Sequence, residues 1–235
     1  MPAGAEGRRA VAVLVPAFQA AATIADVVAR ARRALPDAAV YVVDDGSTDG
    51  TAAAASAAGA RVLPHPRNQG KGAALATGIA RALADGAGVI ATLDADGQHP
   101  SERLPQLVEP VAGGAADLVL GARARGGGMP LGRRCSNWLS AALASRVAGT
   151  RVADAQTGFR AFSRLVAETV RPREAGYDFE TAFLLEALAR GFRIGSVGIP
   201  TIYAGERSHF RHWTDTWRLA RVFTRHGRRI IFGAR

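Results

Sequence analysis

The sequence predicts an α/β fold: a single domain built on a mostly parallel central sheet with helices on both faces. Three observations support this. Strand-like and helix-like segments alternate from Val11 to Leu120. The strand segments are unbroken apolar runs, as in Val11-Ala-Val-Leu-Val15, which suits strands covered on both sides. Two of the runs end in acid pairs, Asp44-Asp45 and Asp94/Asp96, and ligands of such sheets gather at the carboxyl ends of strands.

The elements follow in order. Val11–Val15 is a strand closed by Pro16, and 21–35 is a helix stopped by Pro36. Ala39–Val43 is a strand ending at Asp44, Thr51–Ala58 an alanine helix stopped by Gly59, and Arg61–Leu63 a third strand. Gly72–Ala84 is a helix and Gly88–Leu93 a strand. Ser101–Val111 is a helix with Ser101 as its N-cap, and Asp117–Leu120 is a fifth strand. The second half is less regular: a glycine-rich loop over Arg123–Arg133, a helix over Arg134–Val147, a short extended stretch at Phe159–Phe162, a helix over Phe179–Ala189 and a strand over Ile194–Ile202. We divide the chain into a flexible N-terminus (1–10), one domain (11–210) and a basic amphipathic helix (211–235).

The 235 residues can bury a substantial core, and no apolar stretch approaches the roughly 20 residues that span a bilayer. The N-terminus lacks a signal-peptide core and Cys135 has no internal partner, so the expected location is cytoplasmic. The formal charge of +10, nearly all arginine among the basic residues, favours an anionic partner, although a GC-rich codon bias would raise arginine, alanine and glycine together.

Asp94 and Asp96, two residues apart, leave the chain on one face. Carboxylates held together repel unless a cation lies between them. Hard oxygen ligands suit Mg²⁺ or Mn²⁺ completed by substrate phosphates, with Gln98 and His99 in reach. Asp44 and Asp45 are placed to meet a nucleoside, whereas Thr48 and Asp49 read as caps of the next helix. Lys71, in Asn68-Gln-Gly-Lys-Gly72 at a helix start, can meet a phosphate, or Gly70 and Gly72 can serve close packing. The spacing is not that of a P-loop, and no G-x-G-x-x-G follows the first strand.

Val13-Leu-Val-Pro-Ala-Phe18, Val43-Asp-Asp-Gly-Ser-Thr-Asp49, Asn68-Gln-Gly-Lys-Gly72, Leu93-Asp-Ala-Asp-Gly-Gln-His-Pro100 and Gln156-Thr-Gly-Phe-Arg-Ala-Phe162 occur in this order. Together they resemble family 2 glycosyltransferases of GT-A fold, in the branch of dolichol-phosphate mannosyltransferases and bacterial polyprenyl-phosphate glycosyltransferases. The resemblance runs from about Val11 to Ser208. It implies an inverting transfer from a UDP- or GDP-sugar, with a divalent metal, to a polyprenyl phosphate. It implies that Asp94, Asp96 and Gln98 meet the metal, that Pro16, Phe18, Asp44 and Asp45 lie at the donor, where Lys71 is a further candidate, and that Arg207 and Ser208 touch donor phosphate from a late loop. Arg123, Arg133 and Ser136 correspond to acceptor-phosphate positions, and Arg160 is a further arginine candidate for the same phosphate. The chain departs from the family's P-x-x-N-E after the first strand, where Phe18 is followed by Gln19-Ala20-Ala21, and it keeps Glu180 of F-E-x-E but has Ala182.

A phosphate acceptor is already anionic and needs no base; a hydroxyl acceptor needs one, with Asp154 and Glu180 as candidates, Asp154 equally suited to bracing its loop. In the tail, Arg218, Arg221, Arg225, Arg228 and Arg229 fall on one helical face and Trp213, Trp217, Ala220, Phe223 and Ile231 on another. Such a helix either docks on the domain or rests on anionic lipid at the inner face of the membrane. The alternatives carried forward are a soluble or glycan hydroxyl acceptor, and a non-catalytic basic module for nucleic acid or membrane. The last leaves the acid pairs unexplained, so no nucleic acid partner is expected.

Overall fold

The computed structural model describes residues 10–123, 154–176 and 178–200. Seven strands form one sheet in the order β3-β2-β1-β4-β6-β5-β7. They are β1 (Val11–Ala17), β2 (Ala39–Asp44), β3 (Arg61–Pro64), β4 (Val89–Thr92), β5 (Leu118–Arg123), β6 (Arg160–Ser163) and β7 (Ile194–Ile199). All pairings are parallel except those of β6, which runs antiparallel to both β4 and β5. The helices are α1 (Ile24–Ala34), α2 (Thr51–Ala57), α3 (Lys71–Ala84), α4 (Leu104–Ala112), α5 (Arg164–Thr169) and α6 (Phe179–Ala189).

The apolar runs are strands because both faces of the sheet are covered. Within β1, Val13 and Val15 join a core with α1 (Ile24, Val27, Val28) and α4 (Leu104, Leu107, Val108). Leu14, between them, joins the opposite core with α3 (Leu75, Ile79) and α6 (Phe183, Leu184). The expected fold class is therefore present, a single α/β domain with a mostly parallel sheet. Helix α6 is buried almost throughout, with Phe179 to Leu185 all inside, which is why its sequence shows no polar stripe. Glu180 goes inside with it.

Several boundaries differ from expectation. Ser101 opens a 3₁₀ turn (Ser101–Arg103) rather than capping an α-helix, because α4 begins only at Leu104. The short extended stretch is β6, and an unforeseen helix, α5, follows it with Ser163 as N-cap, its Oγ accepting the Val166 N–H at 3.3 Å. Strand β7 stops at Ile199, before Pro200. The expected helix over Arg134–Val147, most of the glycine-rich loop, the chain ends and the C-terminal helix lie outside the described residues. Among the described residues, no helix is long and apolar enough to cross a membrane.

The β2–α2 turn relies on glycines with positive φ. At Gly46 (φ +78°) a Cβ would lie 2.5 Å from the Arg67 carbonyl carbon, whereas at Gly50 (φ +86°) it would meet nothing within 4 Å. Gly46→Ala therefore carries backbone strain and a clash, and Gly50→Ala strain alone. In urea denaturation we expect Gly50→Ala to cost about 1 kcal/mol and Gly46→Ala clearly more, roughly 2–3 kcal/mol. Equal losses would contradict the packing described.

Candidate active site

The site lies where neighbouring parallel strands part. Strand β1 pairs with β2 as far as Ala17↔Asp44, but with β4 only as far as Leu14↔Thr92. Pro16 falls on the side of β1 that β4 has left, so its missing N–H breaks no ladder bond. Phe18 stands at the rim of this opening, 49 % exposed. Asp94 and Asp96 follow β4 directly into it.

The Asp94 loop is held from several directions. The Asp94 N–H donates to Nδ1 of His99 at 3.0 Å, and the buried His99 ring stacks on Phe159 at 5.2 Å between centroids. Because Nδ1 accepts, the neutral ring carries its proton on Nε2, which lies 3.8 Å from Asp94 Oδ2. Thr23 Oγ1 donates to the Ala95 carbonyl at 2.6 Å, and Arg30 donates to that of Gly97 at 3.3 Å. Gly158 backs the carboxylate: a Cβ there would lie 2.5 Å from Asp94 Oδ1. Thr92 Oγ1 fixes this glycine through a 2.6 Å bond to its carbonyl.

Lys71, the first residue of α3, reaches the same carboxylate. Its Nζ lies 2.6 Å from Asp94 Oδ1 and 2.6 Å from Glu180 Oε1. The Glu180 side chain is 4 % exposed and that of Asp94 27 %. Burial pushes the Lys71 ammonium towards losing its proton, but the two carboxylates outweigh it and hold the pKa above the ordinary lysine value. The loop before Lys71 is fixed by Asp45, whose Oδ1 accepts the Gln69 N–H at 2.9 Å and whose Oδ2 accepts that of Gly70 at 2.8 Å. Asp45 also meets His65 Nδ1 at 2.7 Å. Gly70 and Gly72 let this loop lie against 174–176, since a Cβ on either would fall 2.5–2.6 Å from the carbonyl oxygen of Ala175 or Glu174.

The β1–α1 and β2–α2 loops clasp each other. Gln19, with φ 52°, donates its N–H to Ser47 Oγ (2.9 Å) and its Nε2 to Thr48 Oγ1 (3.0 Å), while its Oε1 accepts the Thr48 N–H (3.2 Å). Asp49 accepts from the N–H groups of Ala21 (3.0 Å) and Thr51 (3.1 Å). Asp49 thus serves the start of α2, as read from the sequence, although Gly50 is the N-cap, and the rest of this loop braces its neighbour.

Several of the candidate residues have their side chains engaged within the protein. Arg160 is not available to an acceptor phosphate: its guanidinium is buried and donates to the carbonyls of Thr157 (3.0 and 2.5 Å) and Glu180 (2.9 Å). Burial lowers its pKa, against the pull of Glu180, Asp154 and Asp94. Asp45 is buried and engaged with the Lys71 loop and His65. Asp44 is also buried, its Oδ1 accepting the Ser47 N–H at 3.1 Å. Asp154 is buried and accepts the Gln156 N–H at 3.2 Å, the loop-bracing alternative. Lys71 faces carboxylates in this structure. The side chain of Arg123, and Arg133, Ser136, Arg207 and Ser208 entirely, lie outside the described residues. Gly158 and His99 gained no firm role from sequence; the signal was their place inside two of the quoted motifs.

Among the described residues, no three His, Cys, Asp or Glu side chains gather as a metal-binding group. The donor set still fits a hard divalent ion that takes most of its ligands from substrate and water. Asp94 and Asp96 offer carboxylate oxygens, with Gln98 adjacent, its N–H bonded to Asp96 Oδ1 at 2.9 Å. Burial, and next the Asp94 charge, raise the Asp96 pKa, the strain that a cation between the two would relieve.

Comparison with known proteins places the chain in a family. The family model described as glycosyl transferase family 2 matches residues 12–171. The chain belongs to that family. It is a glycosyltransferase of GT-A fold, as the sequence motifs implied. An undecaprenyl-phosphate mannosyltransferase from Micrococcus luteus is 31 % identical over 204 residues, 80 % of this chain and 82 % of that protein. A polyprenol monophosphomannose synthase from Mycolicibacterium smegmatis is 30 % identical over 200 residues, 80 % of this chain and 75 % of its own. Glucosyl-3-phosphoglycerate synthase from Mycobacterium tuberculosis, crystallised with Mn²⁺, UDP-glucose and phosphoglyceric acid, superposes with a TM-score of 0.77 at 26 % identity, covering 94 % of this chain and 80 % of that one.

The buried Lys71–Glu180 pair makes a stability prediction for this glycosyltransferase. Lys71→Met strands the Glu180 charge and should cost about 3–5 kcal/mol in urea denaturation. Lys71→Met with Glu180→Gln should recover at least about 1 kcal/mol of that loss. A double variant as unstable as the sum of the two single variants would show that they are not coupled.

Proposed function

We propose that this glycosyltransferase moves a sugar from a UDP- or GDP-sugar, with a divalent metal, to the phosphate of a polyprenyl phosphate, inverting the anomeric centre. The observation that carries the reading is Asp94: a carboxylate at the mouth of β4, seated on Gly158, beside Lys71 and His99, with Asp96 two residues on. The Mn²⁺ and UDP-glucose bound by the structurally similar synthase support the donor class. The two polyprenyl-phosphate relatives support the acceptor.

In this reading Asp94 and Asp96, with Gln98 beside them, hold the metal. When bound, it stabilises the charge that develops on the departing nucleoside diphosphate. Lys71 adds a fixed positive charge at the same place. The opening between β1 and β4, with Pro16 and Phe18 on its wall, receives the donor. An acceptor phosphate oxygen attacks the anomeric carbon as the bond to the diphosphate oxygen breaks, and no proton has to be removed. This suits the state of the two candidate bases: Glu180 is paired with Lys71, and Asp154 braces its own loop. Arg160 is a positioning residue that ties β6 to the start of α6. Arg123, Arg133 and Ser136 remain our assignments for the acceptor phosphate, and Arg207 and Ser208 for the donor phosphate.

A second reading, a soluble acceptor, is favoured by the likeness to a synthase crystallised with phosphoglyceric acid. Radiolabelled UDP-glucose and GDP-mannose, offered with undecaprenyl phosphate or with 3-phosphoglycerate, separate the two. We expect label in the lipid phase, and a loss on the order of 10²-fold or more in Asp96→Asn. Label only in the aqueous product would replace our reading with the second.

A further inference from the structure

Lys71 is oddly placed for a lysine. It is the first residue of a 14-residue helix, where the backbone already presents positive charge, so the helix itself disfavours the ammonium. What holds it are two unlike carboxylates. Glu180 is buried in α6 and cannot give up its counter-ion without stranding a charge. The Asp94 side chain is more than a quarter exposed at the mouth of the strand, so although the Oδ1 that meets the ammonium is itself buried, this carboxylate has water or a cation within reach once the ammonium leaves. The two contacts are equally short, but only the outer carboxylate has solvent beside it to take the ammonium's place. A four-carbon stem with a compact ammonium at its end can turn about the inner carboxylate and leave the outer one.

We propose that Lys71 is an exchangeable counter-ion: it neutralises Asp94 while no donor is bound, then swings to the donor's diphosphate while keeping Glu180, so that a divalent cation gains Asp94 only as the nucleoside diphosphate arrives. This rests on the donor-site reading above and extends it. A cation and an ammonium compete for one carboxylate, so metal alone binds weakly. The diphosphate provides the released ammonium with a new anion, so each ligand favours the other, and by linkage the coupling is reciprocal. Glu180 is then the pivot of the exchange, a positioning residue rather than a base. No covalent step is involved, and Lys71 stays protonated throughout.

The test uses the full chain and two binding readouts. Free Mn²⁺ is followed by electron paramagnetic resonance in a nucleotide-free titration, and radiolabelled UDP and GDP by equilibrium dialysis without metal. The variant is Lys71→Met with Glu180→Gln, which removes one buried charge of each sign; Lys71→Gln with Glu180→Gln, whose two amides can bond each other, is the second variant should the first fail to fold. We expect the variant to bind Mn²⁺ alone at least tenfold more tightly than the wild type and to bind the metal-free nucleotide at least tenfold more weakly. Glu180→Gln alone, which leaves Lys71 on Asp94, should not tighten Mn²⁺. A variant that binds Mn²⁺ alone no better than the wild type would overturn the exchange while leaving the donor site intact. A wild type that binds neither nucleotide with or without Mn²⁺ would overturn the donor-site reading itself, and the exchange with it.

Discussion

One ammonium group ties together three parts of the chain that lie far apart in sequence. Lys71 comes from the start of α3, Asp94 from the end of β4 and Glu180 from the first turn of α6, and the two carboxylate contacts are each 2.6 Å. Much of the surrounding structure secures one of these three. Asp45 fixes the loop that delivers Lys71. His99, Thr23 and Gly158 fix the loop that carries Asp94. Arg160 holds the Glu180 carbonyl, and a nearly all-buried helix carries the carboxylate inside. Three charges pack this closely because the ammonium lies between the two carboxylates and because each backbone is held by bonds of its own.

The other acids near the strand ends follow one rule. A buried carboxylate beside backbone N–H groups finds its partners there. Asp45 takes the N–H groups of Gln69 and Gly70, Asp44 takes that of Ser47 and Asp154 that of Gln156. Asp94 differs in that its carboxylate sits at the opening with a mobile type of counter-ion, a lysine, on one side and a glycine on the other. Asp44, Asp45 and Asp154 thus hold their loops in place. The loop clasp through Gln19 belongs to the same economy: where the family writes Asn-Glu, this chain uses a glutamine side chain to bond both ways with Thr48.

The sheet was legible because unbroken apolar runs such as Val11–Val15 and Val89–Thr92 have one economical fate, burial on both faces. The strand-end acids were legible for the same reason: a carboxylate directly after such a run must emerge at the edge of the sheet. What each acid does there was not legible. Whether Asp45 meets a ligand or a backbone N–H depends on where residues 69 and 70 pass, and that is set by Gly70 and Gly72 packing on 174–176, a contact across a hundred residues. Arg160 is similar: an arginine in a motif reads as a phosphate ligand, and its bonds to the Thr157 and Glu180 carbonyls depend on contacts that no local pattern reveals. The antiparallel turn of β6 and the short α5 were missed because four-residue segments carry too little periodicity to read.

The central claim, that Asp94 and Asp96 build a metal-assisted nucleotide-sugar site at the end of β4, is tested most directly by calorimetry. UDP- and GDP-sugars are titrated into wild type and Asp96→Ala, each with and without Mn²⁺. The account predicts tight, metal-dependent binding of sugars on one of the two bases in the wild type, and loss of the metal-dependent part in Asp96→Ala. Binding of the same donors that is indifferent to Mn²⁺ and unchanged in Asp96→Ala would contradict it.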